Sequence, residues 1–193
     1  MRNPIMVGER VYLRPLEKSD AQAMARGFAE ESESMMLRWR VPISPIGWEE
    51  HIENLHKDQP PGSIEFAVCL KERDEFIGTV ELTHIDYVNR TAETGSWMMF
   101  AEHRGKGLGT EAKHLLLEYA FDRIQLYVLY SGVWEPNKRS AAALMKQGYK
   151  PAGRVKRAEV KDGVYHDGLL FDIKREEWLA GREQWLASLV TRV

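Results

Sequence analysis

One cysteine, Cys69, in 193 residues rules out an intrachain disulfide framework and any zinc site assembled from several thiolates. That thiol lies in the apolar run Phe66-Ala67-Val68-Cys69-Leu70, which reads as a buried strand, so a core thiol is expected rather than a nucleophile. Long hydrophobic runs are missing too. Nothing approaches the ~18 consecutive apolar residues of a membrane span, and the N-terminus lacks the apolar segment of a secretory signal. A cytoplasmic protein with no membrane partner is expected. An excess of one charge is also missing: 27 Lys and Arg face 29 Asp and Glu, without the basic bias of a nucleic-acid binder. His84, Asp86, His166 and Asp167 show no ligand-pair spacing, so no metal is expected. The length suits a single domain over residues 1–193.

What is present is an alternation of short apolar runs with helical stretches. Val7 to Leu13 reads as a strand, and Ser19-Asp20 as a helix start ahead of Ala21 to Arg26. A second helix is expected over Trp48 to Lys57, stopped by Pro60-Pro61-Gly62. Strands follow at Glu65–Leu70, Phe76–Thr83 and Glu93–Phe100, then a helix over Thr110–Phe121 whose apolar face carries Ala112, Leu115, Leu116, Tyr119 and Ala120. Leu126–Val133 is a strand and Ser140–Gln147 a short helix stopped by Gly148. Arg154–Val160 and Val164–Ile173 flank Asp162-Gly163, a two-residue hairpin signal. The tail, Glu176 to Val193, places Trp178, Trp185, Leu186 and Leu189 at helical spacing, a stripe for packing on the domain or on a second copy in a homodimer. An antiparallel meander feeding a β/α half predicts an α/β (α+β) domain with a mixed, mostly antiparallel central sheet flanked by helices.

The chemistry concentrates in Phe100-Ala101-Glu102-His103-Arg104-Gly105-Lys106-Gly107-Leu108-Gly109-Thr110. Glycines leave backbone N–H groups unobstructed, and at a helix N-terminus such amides bind phosphate. Three phosphate loops compete. A Walker loop needs Ser or Thr after the lysine, and Lys106 is followed by Gly107. A dinucleotide fingerprint needs G-x-G-x-x-G, and the glycines stand at 105, 107 and 109. The third, Arg-x-x-Gly-x-Gly, is met by Arg104, Gly107 and Gly109.

This third pattern resembles the acyl-CoA pyrophosphate loop of the GNAT acetyltransferase superfamily. The resemblance runs over about residues 7 to 178, through Ile77-Gly78, Ile85-Asp86, Asn89-Arg90, Ala92-Glu93-Thr94-Gly95, Asn137-Lys138-Arg139-Ser140, Gly148-Tyr149, Tyr165-His166-Asp167 and Arg175-Glu176-Glu177-Trp178. It is similar to the branch containing the ribosomal-protein N-terminal acetyltransferases of the RimJ/RimL type, with 179–193 as a C-terminal helical extension. The resemblance implies an N-acetyltransferase that uses acetyl-CoA and attacks it directly with a primary amine, from a small molecule or a protein or peptide N-terminus. It implies that Arg104, Gly105, Lys106, Gly107, Leu108, Gly109 and Thr110 hold the diphosphate, that Met98, Met99 and Phe100 run beside pantetheine, and that Asn137 bonds its chain.

For the general base the resemblance points to Glu93, on the strand leading to the loop; the bland alternative is a solvent-facing glutamate paired with Arg90. The family's frequent acid, a tyrosine, is replaced by Leu144. The branch's serine is matched by Ser140, whose bland alternative is a helix cap. Gly95 is expected to mark a bulge that frees an amide near Trp97 for the oxyanion. Ser96 stands where the branch commonly has a bulky aromatic. Acceptor contacts are expected from Arg38, Trp39, Trp48 and Trp97, with Glu30, Glu31, Glu33, Glu49, Glu50 and Glu53 as possible steering charges. A catalytically silent acyl-CoA sensor and an interaction protein are the alternatives.

Overall fold

The computed structural model describes residues 1–31 and 41–190, with side chains through Ser188. The strands are β1 (Met6–Val7), β2 (Val11–Pro15), β3 (Ile64–Leu70), β4 (Glu75–Asp86), β5 (Thr91–Met98), β6 (Val128–Trp134), β7 (Lys150–Lys161) and β8 (Val164–Lys174). They form one sheet in the order β1-β2-β3-β4-β5-β6-β8-β7. Every neighbouring pair is antiparallel except β5 and β6. The helices are α1 (Ala21–Glu30), α2 (Pro45–Leu55), α3 (Leu108–Glu118), α4 (Lys138–Lys146) and α5 (Arg175–Val190). This is the mixed, mostly antiparallel α/β architecture expected from the sequence.

Turn chemistry sets the meander. Asp162 and Gly163 adopt φ of 52° and 78°, the left-handed pair that a tight hairpin between twisted strands requires. Between β4 and β5, the Asp86 carboxylate accepts the N–H groups of Val88 (2.9 Å) and Asn89 (2.8 Å), closing the turn from its own side chain. The expected strand over Val7–Leu13 is instead a small hairpin: Gly8 N–H donates to Val11 C=O at 2.9 Å, and Met6 pairs with Leu13. An alternation that spans a reversal looks continuous in one dimension.

The sheet is covered on both faces. On one, Tyr12, Ala67, Cys69, Met99 and Phe100 pack against Met24 of α1 and Trp48 and Ile52 of α2. Burial raises the Cys69 thiol above its ordinary range, which keeps it protonated and inert. On the other face, Val11, Leu13, Val68, Ile77, Val80 and Leu129 pack against α3, α4 and Trp178 of α5. Residues Glu111 to Leu117 of α3 are all buried. The reason is that α5 lies across the outer side of α3: Trp185 stacks on His114 (4.6 Å, 29°) and Arg182 pairs with Glu118 at 2.6 Å. Trp178 and Trp185 of the tail stripe therefore pack on the domain, whereas Leu186 is exposed.

Candidate active site

The parallel pair β5 and β6 is short. Thr91–Glu93 pair with Val128–Tyr130 and the ladder stops. Both strands run on, β5 along β4 to Met98 and β6 along β8 to Trp134. Past Glu93 their facing edges diverge, and a ligand's amides can take the place of the missing ladder. The apex of the opening is pinned by side chains. Thr94 Oγ1 donates to Tyr130 C=O (3.1 Å) and lies 2.8 Å from Tyr149 Oη, while Ser131 Oγ donates to Thr94 C=O (3.1 Å). Burial pushes the Tyr149 phenol well above its ordinary value, so it is a neutral member of this network.

The glycine loop follows β5 and opens α3. Gly105 and Gly107 have φ of 74° and 79°, the left-handed region that glycine enters without a Cβ penalty. Gly107 is the N-cap of α3, and the first helical bond runs from Glu111 N–H to Gly107 C=O at 3.1 Å. The N–H groups of the turn ahead of it lie beyond the helical ladder, where the helix dipole favours an anion. A brace built on the buried Glu111 holds this end in place. The Glu111 carboxylate accepts Arg10 N–H (2.7 Å), Val11 N–H (3.2 Å) and Arg10 Nε (3.0 Å), and Arg10 Nη1 donates to Lys106 C=O at 2.9 Å.

Arg104 is engaged within the fold. Its Nε donates to Met98 C=O (2.8 Å), and its Nη2 donates to Met99 C=O (2.9 Å) and pairs with Glu31 (2.8 Å). The planar guanidinium thus ties the end of β5 and the end of α1 to the loop. Lys106 is exposed at the loop. Met99 and Phe100 are buried and Met98 half-buried, and Met99 N–H donates to Ile77 C=O at 3.2 Å. Leu108 is a core residue. A Cβ on Gly109 would lie 3.1 Å from the Met98 side chain, so its small size permits close packing of the helix start on β5. Thr110 completes the first turn.

Glu93 stands at the last rung of the β5–β6 pair, opposite Thr83 and Tyr130. Its carboxylate is 48% exposed and 3.5 Å from His84 Nδ1. Arg90 bonds instead to Gln125 C=O at 2.7 Å. The expected bulge at Gly95 lies elsewhere, between Thr83 and Asp86 of β4, where His84 has a φ of 51°. Gly95 is small for another reason: the Glu81 side chain of the facing strand occupies the space a Cβ would take. Glu81 is a carboxylate that the sequence reading missed, and its signal was an acidic residue in register with a glycine. On the other side of the opening, α4 follows β6. Asn137 caps it, its Oδ1 accepting Ser140 N–H at 3.1 Å. Ser140 is half-buried in the first turn, and Leu144 is a core residue.

Residues 10–150 match the family described as "Acetyltransferase (GNAT) domain". The chain belongs to the GNAT acetyltransferase family. It is 30% identical to "Probable N-acetyltransferase YjcK" of Bacillus subtilis (strain 168), over 84% of this chain and 93% of that protein. It is 28% identical to the spermidine N(1)-acetyltransferase of Escherichia coli (strain K12), over 88% of this chain and 89% of that one. Among solved structures it resembles Mycobacterium smegmatis RimJ in complex with CoA-disulfide, with a TM-score of 0.81 and 26% identity over 92% of this chain and 89% of that one. As a GNAT enzyme it uses acetyl-CoA as acyl donor, and its loop amides, Lys106 and open β5 edge fit a diphosphate followed by an amide-bearing arm.

The acceptor side of this GNAT domain departs from expectation in part. Trp48 is buried and stacks on half-buried Trp97 at 6.1 Å and 22°. It supports Trp97 from within the α1–α2 core instead of lining an open cleft. Arg38 and Trp39, with Glu33, lie outside the described residues. Of the proposed steering charges, Glu30 pairs with Arg26 (3.9 Å), Glu31 with Arg104, and Glu53 with Lys18. A cavity of about 430 Å³ opens beside His51, Asp58, Gly62, His84 and Ile85, and His84 joins it to Glu93.

Proposed function

We propose that this enzyme transfers the acetyl group directly from acetyl-CoA to a primary amine in a ternary complex, with Glu93 as base and Ser140 as acid. The observation that carries the reading is the half-exposed Glu93 carboxylate at the end of the β5–β6 ladder, where the strands open. The loop from Gly105 to Thr110 and Lys106 hold the diphosphate, and the edge of β5 up to Met98 aligns the arm that follows. Acetyl-CoA supplies the activated thioester carbonyl. Glu93 takes one proton from the acceptor ammonium, directly or through a water, and returns it to solvent. As the amine nitrogen bonds to the acyl carbon, the C–S bond breaks. Ser140 passes a proton to the departing sulfur and is reprotonated by the proton the new amide nitrogen sheds. Cys69, buried and protonated, carries no acyl group.

The acceptor is read as a cationic primary amine. Glu65, Glu81 and Gly95 lie in register across β3, β4 and β5, with Glu93 two residues from Gly95 on the same face of its strand. Glu65 is held by His51 at 2.7 Å, so Glu81 and Glu93 are the carboxylates that favour an ammonium over an anion. Spermidine, the substrate named for the Escherichia coli relative, and protein N-termini both satisfy that chemistry. The test is acetyl-CoA turnover with thiol release across spermidine, peptides with free N-termini, and aminoglycosides. Turnover with at least one class supports the reading. CoA binding without turnover on any of them favours the silent sensor.

Two smaller effects separate chemistry from architecture around α4. Ser140→Ala lowers kcat about tenfold, at the mild end of proton-transfer effects, with the KM for acetyl-CoA unchanged in steady-state kinetics. Asn137→Ala removes the cap on Ser140 N–H and lowers stability by about 1 kcal/mol in urea unfolding.

A further inference from the structure

The buried face of α3 carries a lysine. Lys113 is 2% exposed, between Ala112 and His114, which are buried as well. Its Nζ donates to Gly95 C=O at 3.4 Å and lies 5.9 Å from the centre of the Tyr149 ring. Gly95 is two residues past Glu93, where the β5–β6 ladder ends, so the ammonium sits under the opening at the level of the Thr94–Tyr149–Ser131 network. The carboxylates that act on it are Glu81 from β4 and Glu93 from β5. From the chain after α4 the neutral Tyr149 faces it, and Thr94 and Ser131, in the same network as that tyrosine, are neutral too. On α5, Arg182 acts on His114 and is engaged by Glu118.

Burying an ammonium with a single long hydrogen bond is a poor way to stabilise a fold. A methionine would fill the same volume without the desolvation penalty. The position under the opening gives the charge a use. There, negative charge must gather on the acyl oxygen and then on the leaving sulfur, above a cation that is itself buried from water.

We propose that Lys113 is a positioning residue for acyl transfer: its ammonium places a fixed positive potential beneath the β5–β6 opening, acting through the Gly95 peptide on the charge that develops there. The proposal rests on the acetyl-transfer reading given above. Lys113 forms no bond to the reacting groups and keeps its proton through the cycle. Desolvation draws its titration down to about 7, against the opposing pull of Glu81 and Glu93. The field is therefore present below about pH 7 and fades above it.

Two measurements test this. The first uses the free protein. Lysine in the unfolded chain titrates near ~10.4, so between about 7 and there the unfolded state binds the extra proton and stability rises with pH. Urea unfolding of the wild type should show that rise, and Lys113→Met should lack it and be the more stable protein at pH 6. Parallel profiles for the two proteins overturn the buried ammonium. The second is the pH profile of kcat, with acetyl-CoA and whichever amine of the panel is accepted. The wild type should lose rate as pH rises through about 7. Lys113→Met should be about tenfold slower at pH 6.5, keep its KM for acetyl-CoA within twofold and lack the falling limb. Lys113→Arg, which does not titrate in this range, should restore most of the rate and hold it at high pH; should the methionine variant fail to fold, this flattened profile alone carries the test. Wild-type kcat and pH profile in Lys113→Met overturn the proposal alone. A wild type inactive on every amine removes the acetyl-transfer reading and this proposal with it.

Discussion

Glu93→Gln lowers kcat for acetyl transfer by about 10²- to 10³-fold, the range of a lost general base, and leaves the KM for acetyl-CoA within twofold. Glutamine keeps the size and the polar end of the side chain but cannot accept an ammonium proton. The Glu93 carboxylate is 48% exposed and 3.5 Å from His84 Nδ1, so the change acts on the acceptor side, apart from removing the pull that Glu93 exerts on Lys113. The loss should be largest at low pH, where the acceptor amine is most fully protonated and depends most on a base. It should shrink as pH approaches the amine's own pKa. Steady-state kinetics from pH 6 to 10 check both features. An unchanged rate at every pH removes Glu93 as base and leaves Glu81, across from Gly95, as the carboxylate to examine.

Gly107→Val weakens CoA binding by about 100-fold. Valine resists the left-handed conformation by roughly 1–2 kcal/mol or more, and Gly107 has a φ of 79° as the N-cap of α3. A Cβ there would also lie 3.3 Å from Arg10 Nη2, inside the brace that Arg10 and Glu111 form. The loop relieves both by turning its amides away from the anion site, and each charge-assisted bond so lost is worth about 1.5–3 kcal/mol. Calorimetric titration with CoA measures the effect. Gly163→Val is the control: its φ of 78° imposes similar strain, but it lies at the β7–β8 turn with open space around it. That variant loses stability and keeps its affinity. Equal affinity for Gly107→Val and the wild type contradicts the loop as anion cradle.

Local signals made much of this architecture legible in the sequence. Asp162-Gly163 marked its hairpin, the three glycines marked a helix start, and the apolar run around Cys69 marked a buried strand. What escaped depends on contacts between distant segments. The turn at Gly8 was read through, since Val7, Val11 and Leu13 keep an alternating pattern across it. β7 extends back to Lys150 because β8 offers it partners as far as Asp172, although the segment is mostly exposed and has little apolar signal of its own. The bonds of Arg104 to the Met98 and Met99 carbonyls have no signal in the loop pattern. Lys113 escaped for the opposite reason. A one-sided helix hides one stripe, whereas α3 is enclosed by the sheet on one side and by α5 on the other, so a lysine outside the apolar stripe is buried as deeply as the leucines.

The central claim is direct transfer at the β5–β6 opening, and single-turnover thiol release tests it most directly. Enzyme in excess is mixed with acetyl-CoA, with and without an accepted primary amine, while free thiol and the intact mass of the protein are followed together. Thiol should appear only with the amine, mole for mole with the acetylated product, and the protein mass should stay unchanged. A burst of thiol without amine, together with an acetyl group on Cys69 or any other residue of the chain, would contradict the account.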